Sequence, residues 1–257
     1  MPVIRGYMPT TRKALSNVRT SSVATVYVMN LTAIDPARLA SARSVWRSVL
    51  AHSEVCRAGR YARREDADRF MAGRALLRIA LGNVVGVKAE ELGLAENADG
   101  RPVIEVHSEG TLHFSVSHGG GLVMVALAHQ PVGVDVEPVA GPPSHGLVTR
   151  VCSAAESNFL ASLCETDRGR AFTQLWSRKE ALCKASHGKL SMSCASTVDT
   201  LSRSLPGAPE GRRWRLRDLS DQLPCDYAAA LASAGRLRHR LVRTATDLGR
   251  MPGSGRA

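Results

Sequence analysis

The stretch VGVDVEP, residues 132–138, decides how the chain is read. Val132, Val134 and Val136 alternate with Asp135 and Glu137, a period of two that marks a β-strand. Side chains at i and i+2 share a face, so the two carboxylates point the same way. Neighbouring carboxylates repel, and burial makes each harder to ionise. Two readings are open. A divalent cation sits between them, Mg²⁺ being the hard ion that takes carboxylate and phosphate oxygens. Alternatively, the strand is an edge with its polar face in water, and D-x-E carries no chemistry.

Working outward, the flanking segments predict short strands at 103–106, 112–116 and 122–128, joined to 132–137 through Gly119-Gly120-Gly121 and Gln130-Pro131 as antiparallel hairpins. Earlier come a first strand at 23–31 and a helix from Asp35-Pro36 to about Leu50, an N-cap followed by proline at the first helical position. A second helix is expected from Glu65 to Leu81, ended by Gly82-Asn83. After the Pro/Gly-rich connection 138–143, the order repeats in outline. Ser153 and Glu156 form a capping box, a long helix covers 167–186, and strands are expected near 189–200, 213–218 and 226–233. The expected organisation is α+β: two similar, pseudo-symmetric halves, 22–137 and 144–237, each an antiparallel sheet with helices. Residues 1–21 read as a disordered tail and 238–257 as a C-terminal tail.

The chain has 257 residues, 44% hydrophobic and only 4% aromatic, so Leu, Val and Ala must fill most of the core. A net charge of +11 favours acidic partners such as nucleic acid, an anionic membrane, a phosphate-rich ligand or an acidic protein. None of the six cysteines forms a C-x-x-C pair, which points to reduced thiols in a cytoplasmic protein. No apolar run reaches the roughly 18 residues of a membrane span.

Two more stretches carry candidate chemistry. In LWSRKEALCKASHGKL, residues 175–190, Glu180 and Lys184 are four apart on one helix face. They form either an exposed ion pair worth a few tenths of a kcal/mol, or a third cation ligand beside a phosphate-binding lysine. Phe172 and Trp176 precede them as core anchors. In FSVSHGGG, residues 114–121, Ser117-His118 ends a strand before a glycine turn that offers backbone N–H groups to a phosphate. Without G-x-S-x-G, this pair is no hydrolase triad.

Together these pieces resemble the 4′-phosphopantetheinyl transferases of the surfactin-synthetase-activating type. The pattern runs Gly100-Arg101-Pro102, Ser117-His118, Gly133-Val134-Asp135-Val136-Glu137, then Trp176-Ser177-Arg178-Lys179-Glu180-Ala181-Leu182-Cys183-Lys184, within roughly residues 50–235. The resemblance implies transfer of the phosphopantetheine arm of coenzyme A to a serine of an apo acyl or peptidyl carrier protein, releasing 3′,5′-ADP, in fatty-acid, polyketide or nonribosomal-peptide synthesis. It implies Mg²⁺ held by Asp135, Glu137 and Glu180. It also implies Lys184 on the coenzyme's phosphates, with Arg57, Arg101, Ser117 and His118 on its nucleotide and 3′-phosphate. Arg60, Arg63, Arg64 and Arg69 rival Arg57 for that role. Glu180, directly or through a water it orients, would take the serine proton, and Lys184 would stabilise the leaving phosphate. The resemblance also implies an active site between the two halves and, since both halves lie on one chain, a monomer. One departure stands out: His187-Gly188-Lys189-Leu190 replaces the family's usual G-x-G-L. The alternatives are a member that binds coenzyme A or a carrier protein without transfer, and a basic nucleic-acid-binding protein. The latter lacks helix-turn-helix, zinc and aromatic-strand signatures and leaves D-x-E unexplained.

Overall fold

The computed structural model describes residues 23–96, 102–104, 112–186, 192–236 and 238–244. The tail 1–21, Arg101, the 187–190 departure and the end of the chain from 245 lie outside the described residues.

The chain opens with β1 (Val23–Asn30), followed by α1 (Pro36–Val49), α2 (His52–Ala58) and α3 (Arg64–Val85). Asp35 caps α1 by accepting from the Ala37 amide at 2.8 Å, with Pro36 in the first turn as expected. The helix α3 does not stop at Gly82-Asn83. It runs through Gly82 to Val85 and ends at Gly86, whose φ of 75° is the left-handed conformation that closes a helix. Next come the two-stranded ribbon β2 (Leu94–Glu96) and β3 (Pro102–Ile104), the hairpin β4 (His113–Gly119) and β5 (Leu122–Ala128), and β6 (Val132–Pro138). The second part holds α4 (His145–Val151), α5 (Ala154–Ser162), α6 (Glu165–Ala185), β7 (Ser204–Leu205), β8 (Trp214–Asp218), β9 (Tyr227–Ala234) and β10 (Arg238–Thr244). The Ser153–Glu156 capping box forms as expected.

The strands assemble into two four-stranded sheets, ordered β10-β1-β5-β4 and β6-β9-β8-β7. The orders β1-β5-β4 and β6-β9-β8 match, and each sheet carries a long helix, α3 or α6, so the architecture is α+β with two similar sheet-and-helix units. Four layers result. Helices α1 and α3 cover one face of the first sheet through Trp46, Leu76, Leu77, Val123 and Val125. Its other face, with Val26, Val28 and Met124, meets Val132, Val134, Val136 and Leu231 of the second sheet. The far face of the second sheet, with Ala230, Ala232 and Trp214, lies under Ala181, Leu182 and Ala185 of α6. Small side chains along β9 let the sheet sit tightly between its two neighbours, which is how a core so poor in aromatics closes.

Three strand expectations are corrected. First, 132–137 is not a hairpin partner of 122–128. β6 crosses to the second sheet and pairs antiparallel with β9. The Gln130-Pro131 connection sets this crossing: Gln130 donates to Ser233 Oγ and to the Arg236 carbonyl, both at 2.7 Å, and the Pro131 carbonyl accepts from Ala234 at 3.0 Å. The sheets therefore exchange partners before the 138–143 connection. Second, residues 192–197 of the stretch expected as a strand form a 3₁₀ turn. The carbonyls of Ala195 and Val198 are taken by the buried Lys179 ammonium, leaving no ladder to join. Third, 238–244 is no tail: β10 pairs in parallel with β1, covering an edge that would otherwise be open.

Candidate active site

The site forms where edge strand β4 of the first sheet meets edge strand β6 of the second. In β6 the valines Val132, Val134 and Val136 face the inter-sheet core, so Gly133, Asp135 and Glu137 face α6. Gly133 is what lets the helix come close. A Cβ there would stand 1.9 Å from the Ala181 carbonyl oxygen and 2.5 Å from the Ala185 nitrogen. With the backbones in contact, residues of α6 flanking Ala181 reach the β6 carboxylates.

Lys184 Nζ donates to Asp135 Oδ1 at 2.7 Å and to Ser117 Oγ at 2.9 Å, and Ser117 Oγ donates to the same Asp135 oxygen at 2.8 Å. Asp135 is 2% exposed, and its other oxygen, Oδ2, is buried with no hydrogen-bond partner. One residue pair along, Glu137 is half-buried. Burial first, then the charges of Asp135 and Glu180, push its pKa up to about 7 against the pull of Lys184 and a hydrogen bond with Trp176. The water-edge reading of D-x-E is thereby excluded for Asp135, and Trp176 does more than anchor the helix.

His118 stands at the rim. The protein packed around it lowers its pKa, and the Lys184 and Arg69 cations push the same way. Arg69 donates to the Gly120 carbonyl at 2.8 Å, which brings a guanidinium beside the β4–β5 turn. Ser117, His118, Asp135, Glu137, Glu180 and Lys184 are thus gathered from three elements. Arg57 lies on α2, with its guanidinium carbon 5.1 Å from the centre of the Phe70 ring, in an open depression shared with Ser53, Cys56, Arg60 and Tyr61. Arg101 lies outside the described residues.

Among the described residues, no group of three or more His, Cys, Asp or Glu side chains is disposed to hold a metal ion. The chemistry of the donor set nevertheless fits a hard cation at Asp135 and Glu137. One buried carboxylate oxygen lacks a partner, and its neighbour is hard to ionise until positive charge arrives.

Four contributors were given no role from the sequence, although Gly133 and Lys179 stand in its quoted patterns. Gly133 and Ser115 act through contacts between distant segments. Tyr227 accepts from the Gly121 amide at 2.8 Å across the two sheets. Lys179, beside Glu180, is buried in an ion pair with Glu156 at 2.8 Å. For Ser115 the local trace was the Ser115-x-Ser117 spacing, which puts two hydroxyls on one face of β4.

Comparison with known proteins gives the family. Residues 131–232 match the model of the 4′-phosphopantetheinyl transferase superfamily, and residues 40–130 match that of the 4′-phosphopantetheinyl transferase N-terminal region. The division between the two matched regions falls at the crossing from β5 to β6. The chain belongs to the 4′-phosphopantetheinyl transferase family, enzymes that carry the phosphopantetheine group of coenzyme A to carrier proteins. Among its relatives, the 4′-phosphopantetheinyl transferase HetI of Nostoc sp. is 30% identical over 195 residues, 73% of this chain and 81% of HetI. The 4′-phosphopantetheinyl transferase Sfp of Bacillus subtilis is 30% identical over 139 residues, 54% of this chain and 60% of Sfp. No helix among the described residues is long and apolar enough to cross a membrane.

Proposed function

We propose that this chain performs the transfer at the β4–β6–α6 junction, with Asp135, Glu137 and Glu180 holding Mg²⁺ and Lys184 meeting the coenzyme's phosphates. The observation that carries the reading is the buried Asp135 carboxylate, half of it bonded to Lys184 and Ser117 and half without a partner. When bound, Mg²⁺ supplies positive charge to the pyrophosphate and to the carboxylates that hold it.

The carrier serine oxygen forms the new bond to phosphorus, the bond to the bridging pyrophosphate oxygen breaks, and 3′,5′-ADP leaves with that oxygen. Glu180, on the helix face beside Glu137, accepts the serine proton directly or through one water. Lys184, tethered on Asp135 with its side chain 26% exposed, can turn its ammonium to a phosphate without crossing the core, and there it stabilises charge on the departing group. His118, with Arg69 behind it, offers a donor at the rim for the nucleotide phosphates. Arg57 and Arg101 complete the nucleotide contacts.

In this reading the net charge of +11 serves to steer an acidic carrier protein, and nucleic acid is not a partner. The chain works as a monomer, since both sheet-and-helix units that frame the junction come from one polypeptide, and its free cysteines suit the cytoplasm. Intact-mass measurement of an apo carrier protein with this chain, coenzyme A and Mg²⁺ tests the reading. A gain of one phosphopantetheine arm is expected, absent with EDTA and with Asp135→Ala. A gain that persists in both controls overturns the metal assignment.

A further inference from the structure

We infer that a cavity at the carboxyl ends of β1 and β10 is a second ligand site of this protein, separate from the transfer site, and that it takes a small carboxylate with an apolar tail.

In the parallel pair, Val28 stands opposite Arg243 and Met29 opposite Thr244, so both strands run out at the same end of the first sheet. A cavity of about 390 Å³ opens there, within the ordinary range for a small-molecule site. Val28 and Leu122 line it from the buried side, and the half-buried Ile34 and Leu223 complete its apolar lining. The β4–β5 turn stands between this cavity and the transfer site. On the cavity side, the Leu31 amide donates to the Gly121 carbonyl at 2.8 Å, and a Cβ at Gly121 would stand 2.2 Å from the Thr32 methyl. On the transfer side, a Cβ at Gly119 would stand 2.4 Å from the Val136 carbonyl oxygen. The two sites therefore lie back to back, with a tightly packed glycine turn as the wall between them.

The charges around the cavity choose the ligand. Arg38 and Arg243 both line it, from α1 and from β10. Arg243 is steadied by donating one N–H to the Gln222 carbonyl at 2.7 Å, which leaves the rest of its fork of donors for a ligand. Neither arginine has a carboxylate partner among the described residues. Asp35 is the only acidic residue among the described residues that line the cavity, and its Oδ1 already accepts from the Ala37 amide at 2.8 Å. Two guanidinium groups against one carboxylate leave a surplus of a single positive charge. That surplus matches one carboxylate, which a guanidinium takes through paired parallel bonds, and it disfavours a polyphosphate. The apolar lining then asks for hydrocarbon on the rest of the molecule, since burying it removes apolar surface from water.

Octanoate serves as the probe, with octanol and inorganic phosphate as controls for its apolar and anionic halves. In titration calorimetry with the full chain, octanoate should bind one to one and about tenfold or more tighter than either control, because the charged pair and the buried chain both contribute. Saturating coenzyme A should not displace it. Arg38→Met and Arg243→Met alter exposed side chains and should each weaken octanoate about tenfold, the scale of one charge-assisted hydrogen bond. Asp35→Asn keeps an oxygen to cap α1 and removes the competing charge, so it should tighten octanoate severalfold. Methyl resonances give the location independently of the variants. Those of Val28 and Leu122 should shift on octanoate binding, and those of Val151, in a different packed cluster, should not. Absence of saturable octanoate binding, displacement by coenzyme A, or an affinity indifferent to Arg38→Met and Arg243→Met overturns the site. Phosphate binding as tight as octanoate binding also overturns it, reducing the two arginines to a general anion patch. If a variant fails to fold, the methyl shifts in the unaltered protein decide, and shifts that miss Val28 and Leu122 place the probe elsewhere.

Discussion

Lys184 Nζ lies 2.7 Å from Asp135 Oδ1, joining helix α6 to strand β6 across 49 positions of sequence. The lysine is partly open to solvent while the aspartate is buried, so the pair has one fixed and one adjustable member. Lys184→Met should leave the fold intact and cut transfer by about a hundredfold or more, the scale seen when a preorganised charge partner is removed from a site. Circular dichroism and the mass gain of a carrier protein check the two halves of this expectation.

The contact between Gly133 and α6 makes a sharp prediction about stability. Gly133→Ala forces a methyl group to within 1.9 Å of the Ala181 carbonyl oxygen and 2.5 Å of the Ala185 nitrogen, both atoms of packed backbone. The helix must move away from β6, at a cost of ~3 kcal/mol or more. Gly141→Ala, where nothing lies within 4 Å of the added carbon, should change stability little. Urea titration of the two variants beside the parent provides the comparison.

Lys179 and Glu156 form a buried pair, 2% and 0% exposed at the side chain. Glu156 also accepts from Ser153 and Thr200, while Lys179 donates to two backbone carbonyls. Lys179→Met strands a buried carboxylate and should cost ~3–5 kcal/mol. Adding Glu156→Met should restore part of that loss, since no unpaired charge remains. Burial by itself raises the Glu156 pKa, but the bonds from Lys179, Thr200 and Ser153 outweigh it and the net shift is downward. A depressed folded-state pKa means the contribution is present above the unfolded carboxylate value of 4.5 and is lost as pH falls through the folded one. Acid unfolding should therefore begin at higher pH in Glu156→Gln, as read by circular dichroism.

Glu137 titrates in the opposite sense. Its folded-state pKa of about 7 exceeds the ordinary 4.5, chiefly through burial and then through Asp135. Its contribution to stability is present below about 4.5 and is lost as pH rises to about 7. In EDTA, the melting temperature should decline across that window, and Glu137→Gln should flatten the decline. Added Mg²⁺ should oppose the loss and release a proton near pH 6.5, seen as a buffer-dependent heat in titration calorimetry. An identical profile in parent and Glu137→Gln would contradict the assignment.

Much of the site was legible because it follows local periodicity. Alternation in VGVDVEP puts Asp135 and Glu137 on one face of a strand, and four-residue spacing puts Glu180 and Lys184 on one face of a helix. The capping box at Ser153 and the proline start at Pro36 were equally local. Misread elements were those whose neighbours are remote in sequence. β6 had the strand pattern but chose β9 over β5, because Gln130 docks on Ser233 and Arg236. The stretch at 192–197 turned because a buried ammonium holds the carbonyls just beyond and within it. Periodicity, then, states which side chains share a face and which residues start or stop a segment, and this the amino-acid sequence determined unaided. Which amide a serine hydroxyl meets, and how near a helix comes to a glycine, depends on close packing between distant segments, and only the tertiary structure decided it.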